Sequence, residues 1–316
     1  MKLLDKKNIF SFLAILGTYA IAGLLINTGF IDSYIFLNIV LIGINIILAV
    51  SLNLITGFTG QFSLGHAAFM SIGAFTSGVL TAKLGQPFWV GIAGAALFAA
   101  IAGIIIGIPT LRLKGDYLAI ATLGFAEIVK IIGLNTDYIG GATGLNDIPR
   151  YTTWTWLYLC VVATVLFINN FINSYKGRAC ISIGEDEIAA EAMGVNTTYY
   201  KILAFTIGAF FAGIAGALYA NYFYFLKPDS FGFMKSIDIL VIVVLGGMGS
   251  IKGSIIGAIL LSVISLFLQG IPELRMVVYS LILFFIMVYR PQGIMGKSDF
   301  KFFKKRGVLS AHNQSK

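Results

Sequence analysis

Charge is scarce in this sequence: 11% of its 316 residues are Asp, Glu, Lys or Arg, against about 25% in an ordinary soluble domain. Water is therefore not the main solvent of the chain. Cysteine is scarcer still. Cys160 lies in an apolar run and Cys180 in a polar stretch, too few and too differently placed for a disulfide framework. The two histidines are His66 and His312, so a metal site, with its need for three or four ligands, is not expected. An embedded enzyme would want clustered His, Asp, Glu or Ser near one interface, and no such cluster is present.

Apolar residues are abundant instead, at 58% of the chain. A helix needs roughly 20 of them to cross a bilayer, and the many apolar runs with short gaps between them predict repeated crossing. Windows bounded by Gly, Pro, Asn or charge place spans near 9–29, 34–54, 62–82, 88–109, 116–134, 154–172, 201–221, 236–253, 256–270 and 273–290. The expected fold is all-α, a polytopic membrane helix bundle of about ten segments. The third segment is rich in Gly and Ser and the ninth is short, so either could be broken or re-entrant. The basic and apolar N-terminus mimics a signal peptide, with Ala20-Ile21-Ala22 like a cleavage site. Its apolar run continues to about Asn27, which suits an uncleaved first span better.

The net charge of +8 could suggest nucleic acid, but the basic residues sit at span ends, so no nucleic-acid partner is expected. With both termini cytoplasmic, Lys83, Arg150, Lys227, Lys235 and Arg275 fall outside and Lys130 falls within a span. All the other Lys and Arg residues are then cytoplasmic, as positive charge in short loops prefers. Glycine recurs at close-packing spacings, as in Gly208, Ala212, Gly216 and Ala220. Trp89, Tyr151, Trp154 and Trp156 fit an interfacial aromatic belt.

Polar interruptions mark the segments that could carry function. From Gly57 to Met70, glycines and polar side chains break an apolar context, which suits either a broken helix lining a watery path or a turn entering a tightly packed helix. His66 reads as a hydrogen-bonded packing residue, with gating as the alternative. Glu127 and Lys130 share a helix face at a spacing of three, where they can pair; in a span such a pair is structural or ion-linked. Asp238 is expected at the membrane interface. Gly140 to Leu145 lacks the strand that a phosphate loop follows and reads as an external turn, and Gly296-Lys297-Ser298 is only the ending of a Walker motif. The chain is not expected to bind ATP itself.

The longest cytoplasmic loop, 174–201, contains Gly184-Glu185-Asp186-Glu187-Ile188-Ala189-Ala190-Glu191-Ala192-Met193-Gly194. Its composition predicts a short helix that starts near Asp186 or Glu187 and is capped by Gly194. Here the sequence resembles the coupling segment of ABC import permeases, with Ile188 inserted between Glu187 and the two alanines.

Further blocks in the same order resemble the LivM type of branched-chain amino-acid permease. They run from Leu52-Asn53-Leu54 to Ala68-Phe69-Met70, over Leu113 to Gly124, and through Thr143-Gly144-Leu145. Thr197 to Lys201, Ala212 to Tyr219, Leu245 to Ser250, Gly253 and Gly257 complete them. The resemblance implies one permease domain over 1–300 and a basic cytoplasmic tail, without fixed structure, over 301–316. Its implied setting is a bacterial or archaeal cytoplasmic membrane. Implied partners are membrane lipid, a second permease subunit forming a heterodimer, two cytoplasmic ATPases that bind the ATP, and an extracytoplasmic binding protein. No cofactor is implied for this chain.

Leu, Ile and Val are the implied cargo, with urea, short amides or other amino acids as alternatives carried by relatives. An ion-coupled secondary transporter is the remaining rival. Glu185, Asp186, Glu187, Ala189, Ala190, Glu191 and Gly194 are the candidate ATPase-coupling residues. Gly57, Gly60, Gln61, Ser63, Gly65, His66, Glu127, Gly246, Gly247 and Gly249 are the candidate translocation path.

Overall fold

The computed structural model describes residues 17–20, 22–25, 28, 32–111, 113, 115–268, 272–289 and 293–295. Much of the expected first span and the whole 301–316 tail lie outside these. Among the described residues the regular structure is helical, with one isolated bridge, Leu145 to Leu226. After helical residues at 17–20 and 22–25 come α1 (Ser33–Asn53), α2 (His66–Gly78), α3 (Phe88–Thr110), α4 (Asp116–Leu134) and α5 (Trp154–Asn173). Two short helices, α6 (Tyr175–Glu185) and α7 (Glu187–Ala192), precede α8 (Thr197–Phe223), α9 (Phe233–Gly246), α10 (Ile251–Phe267) and α11 (Pro272–Tyr289). Leu54–Phe58 and Val79–Lys83 are π-helical extensions of α1 and α2.

Five of these segments are long and apolar enough to cross a membrane: Ser33–Phe58, α3, α4, α5 and α8. The lipid-facing side is legible in the large apolar side chains left exposed, among them Phe98 and Ile105 on α3, Ile120 and Ile132 on α4, and Leu159 and Phe167 on α5. Sixty-seven per cent of the most apolar window of α8 is buried, against 33% or less for α3, α4 and α5. So α8 is the central post and the other three form a rim.

Small residues let α8 take that place. A methyl group added at Gly208 would sit 2.5 Å from Ile55, one at Gly213 2.5 Å from the Ala95 carbonyl oxygen, and one at Gly216 2.1 Å from the Met70 carbonyl oxygen. Three neighbours thus reach its backbone. In lipid, where apolar burial barely favours helix association, such close backbone approach supplies much of the attraction.

One expected boundary is wrong. The window 236–253 spans two elements, because α9 stops at Gly246 and α10 begins at Ile251. Gly247 turns the chain with φ 117°, a conformation that a side chain would resist. Ser250 then caps α10 by accepting from the Gly253 N–H at 3.1 Å. The free carbonyls at the end of α9 are met by residues after α11: Ile294 N–H donates to Leu245 O and Met295 N–H to Gly246 O, both at 3.0 Å. At about 1.5 Å per residue, the 14 residues of α9 reach roughly 21 Å, short of the roughly 30 Å hydrocarbon core.

Candidate functional site

The chain breaks where the sequence is most polar. After the π turn, residues 59–65 leave helical geometry and climb back beside α1, so that His66 at the start of α2 lies level with Ser51. Non-helical backbone inside a bundle is tolerable only if its polar groups find partners, and here several do. Gln61 N–H donates to Ile55 O at 3.0 Å, Leu64 N–H to Thr122 Oγ1 at 3.0 Å, and Ala67 N–H to Ser236 Oγ at 3.3 Å.

His66 is fully buried, with Nε2 2.8 Å from Ser51 Oγ. With the Ser51 hydroxyl donating to Leu48 O at 3.0 Å, the tautomer that matches is the one with the proton on Nε2 and Nδ1 as an acceptor. Nδ1 has no partner among the described residues. His66 therefore ties the start of α2 to α1.

The second break, 247–250, is held to the first by Asn53. Its Nδ2 donates to Ser250 O at 3.0 Å and Ser254 Oγ at 2.7 Å, while its Oδ1 accepts from Gly249 N–H at 2.9 Å. A methyl at Gly57 would fall 2.3 Å from the Gly249 nitrogen, and one at Gly246 2.2 Å from the Gly253 carbonyl oxygen. Candidate path residues from two distant stretches, 57–66 and 246–249, thus meet backbone to backbone around one amide. Ser63 and Gly65 lie buried in that turn, Gly65 against Thr122. Glu127 stands apart on α4, where Lys130 lies 3.7 Å from it and 3.6 Å from Asp229.

The 174–201 loop is more structured than one short helix. Ser174 caps an unforeseen helix, α6, by accepting from Gly177 N–H at 3.2 Å. Asp186 then caps α7, accepting from Ile188 and Ala189 N–H at 2.9 and 3.0 Å, and Gly194 follows it with φ 85°. Ala190 is buried beneath, whereas Ile188 and Met193 are 75% and 84% exposed. Ala189, Glu185 and Glu191 are exposed as well.

Two contacts fasten this segment to the bundle. Glu187 Oε2 lies 2.7 Å from the buried Lys201 Nζ at the foot of α8. At the end of α6, Gly184 approaches the α1 break so closely that a methyl there would sit 2.4 Å from Phe58 O, with Gly60 alongside. Gln61 Nε2 reaches Lys201 O at 3.4 Å, joining the two fastenings.

One feature was not foreseen. A cavity of about 180 Å³ opens between α1, α9 and α10, and Asp238, expected at the interface, lines it together with Lys235, Asn38 and Asn45. The signal was available in the sequence: Asn38 and Asn45 are two helical turns apart on one face, and Lys235 and Asp238 share another.

Residues 34–287 match the family described as the permease component of branched-chain amino-acid transport systems. The chain belongs to this family. The permease is 39% identical to the LivM protein of the high-affinity branched-chain amino-acid transport system of Escherichia coli K12 and 38% identical to that of Salmonella typhimurium. Each match covers 80% of this chain and 68% of the relative. It is also 26% identical to LivH of the Salmonella system, over 80% of this chain and 91% of the relative. No solved structure matches it. The family's role is transport, so the breaks, the fastened α6–α7 segment and the cavity belong to a multi-pass membrane permease rather than to an enzyme.

Proposed function

We propose that this permease is one of two membrane subunits of an ATP-driven importer for branched-chain amino acids. Its companions would be a second, LivH-like permease, two cytoplasmic ATPases and an extracytoplasmic binding protein. That relatives called LivM and LivH both occur in Salmonella and both resemble this chain supports the two-permease arrangement. In this reading the α6–α7 face is cytoplasmic, as are both termini, and the N-terminal end of α1 is external.

The observation that carries the coupling role is the double fastening of the α6–α7 segment. Its exposed Ile188 and Met193 form an apolar tip, while Glu187–Lys201 and Gly184–Phe58 join its base to α8 and to the α1 break. A push on the tip would reach both at once, since packed backbone has little room to yield. The two breaks, joined through Asn53, would then shift together and open the path to the other side. This chain breaks no bond in the process.

The test is ATP-driven leucine uptake into vesicles holding the complete complex, with the tip altered by Ile188→Glu and Met193→Glu. Uptake is expected to collapse while the permease pair still inserts and assembles. Undiminished uptake would overturn the coupling role of α7.

A further inference from the structure

A second hollow, of about 400 Å³, lies at the end of α8 far from α7 and shares no residue with the cavity beside α9. Its place is fixed by three spans. Phe36 is the fourth residue of α1, Trp154 the first of α5, and Tyr222, against which Arg150 lies, the last but one of α8. One end of each span thus meets there, so the hollow sits where the bundle reaches the membrane surface. Tyr19 and Trp154 in its wall are the ring types that settle at that depth.

Arg150 supplies the charge in the wall, and no carboxylate lines it. The guanidinium lies 4.5 Å from the Tyr222 ring centroid and 5.9 Å from that of Tyr224. Such contact uses the flat face of the cation and leaves the N–H groups on its edge for other partners. Among the described residues no oxygen accepts from those N–H groups, and no carboxylate lies within 4 Å of them. Thr153 stands at the N-cap of α5 without making a capping bond, so its hydroxyl is available as well. Thr155 Oγ1 lies 3.1 Å from Tyr19 Oη, and Trp154 Nε1 donates to Tyr19 O at 3.4 Å. These contacts close the hollow on the side of the helical residues before α1.

We propose that this hollow holds the phosphodiester headgroup of an anionic phospholipid that carries no cation of its own. A basic pocket between spans at the membrane surface matches a lipid headgroup in both charge and depth. Arg150 takes the two unesterified oxygens through its forked N–H groups, a pairing that suits guanidinium geometry, and Thr153 adds a hydroxyl. Apolar side chains beside the wall give the acyl chains a surface to lie on: Leu24 and Ile35, chain neighbours of Gly23 and Phe36, are 64% and 47% exposed. A free phosphate would leave that surface unused, and the ammonium of a zwitterionic lipid would find no carboxylate in the wall. The direction in which the chain crosses does not matter, since a bilayer presents headgroups at both faces.

The test uses the full-length permease in uncharged detergent micelles with Trp89→Phe and Trp156→Phe, which leaves Trp154 on the hollow as the fluorophore. Phosphatidylglycerol with brominated chains is titrated in and compared with brominated phosphatidylcholine. Quenching is expected to reach half its limit at about one tenth of the mole fraction for phosphatidylglycerol, the scale of one charge-assisted hydrogen bond gained. Arg150→Gln should bring the two curves together. Lys227→Gln, which removes a cation at the same end of α8 but outside the hollow, should leave them apart. Should Arg150→Gln not be recovered folded, Thr153→Asp is read in its place: aspartate is a good helix cap, and a carboxylate in the wall should erase the preference.

Displacement of the brominated phosphatidylglycerol by millimolar inorganic phosphate would show a site for free phosphate and overturn the lipid assignment. Equal curves for the two lipids with Arg150 in place would overturn the proposal and leave that cation for an acidic protein surface. A preference that survives Arg150→Gln would put the lipid elsewhere and overturn it as well.

Discussion

Lys201 and Glu187 form a close ion pair, 2.7 Å between Nζ and Oε2, in which the lysine side chain is 9% exposed and the glutamate 30%. Breaking a fully buried pair costs about 3–5 kcal/mol, and an exposed pair contributes about 0–1. This pair lies between the two. Glu187→Gln is therefore expected to lower the unfolding free energy of the detergent-solubilised permease by about 1–3 kcal/mol, and Glu191→Gln to leave it nearly unchanged. The double exchange Glu187→Lys with Lys201→Glu should recover part of the loss in a double-mutant cycle. Equal effects at 187 and 191 would mean that the pair does not hold α7.

Asn53 is the amide through which the two breaks meet. Replacing it with leucine keeps the size but strands the Gly249 N–H, while the Ser250 carbonyl keeps the Ser254 N–H and hydroxyl as donors. Interhelical hydrogen bonds in membranes average only about 0.6 kcal/mol, whereas stranding a buried group can cost about 1–3. Asn53→Leu is expected to destabilise by about 1–3 kcal/mol and to depress uptake more than expression. The measurement is unfolding in mixed micelles alongside transport in vesicles. A stable variant with normal uptake would remove Asn53 from the transport machinery.

These residues also show how much could be read from sequence. Apolar length fixed the helices that face lipid, and the expected 116–134 span and the observed α4 agree to the residue. Capping chemistry located α7, since Asp186 and Gly194 are local signals whose partners lie within four residues. The break at 247–250 escaped because a glycine cluster inside an apolar window looks the same whether it packs or turns. From sequence Lys201 reads as a loop charge, and nothing local says that its partner is Glu187. The cavity was least legible of all. Asn38, Asp238 and Ser265 come from three helices, and only their packing brings them together.

Close packing makes a sharp contrast between two glycines. At Gly73 an added methyl would lie 2.3 Å from the Gly213 carbonyl oxygen and 2.5 Å from the Gly213 Cα, backbone that cannot move aside, whereas at Gly124 it would meet nothing within 4 Å. Gly73→Ala is expected to force α2 from α8 at a cost of about 1–3 kcal/mol or more. Gly124→Ala should be neutral, or stabilising by up to about 1 kcal/mol from helix propensity. Monodisperse yield after solubilisation, with thermal unfolding of what is recovered, separates the two. A well-behaved Gly73→Ala protein would mean that α2 and α8 pack less closely than the geometry requires.

Cys180 offers a probe of the α6 attachment. It lies on α6, 1% exposed, with Sγ 3.7 Å from Tyr200 O. Burial pushes its thiol from 9.0 up to about 12. The thiolate is the reactive form, so at pH 8 a thiol held up by burial exposes far less of it than an unperturbed thiol would. In a Cys160→Ser background, maleimide is expected to label Cys180 at least about a hundredfold more slowly than a cysteine placed at Glu191. While α6 stays docked, the rate should climb about tenfold per pH unit toward pH 12, since only the thiolate fraction is changing. If the segment lifts away during transport, the thiol regains water, its titration falls back toward 9, and labelling at pH 8 accelerates under ATP turnover. Labelling at the exposed rate in the resting complex would mean that α6 is not seated on the foot of α8, and the path of force from α7 into the bundle would then have to run through Lys201 alone.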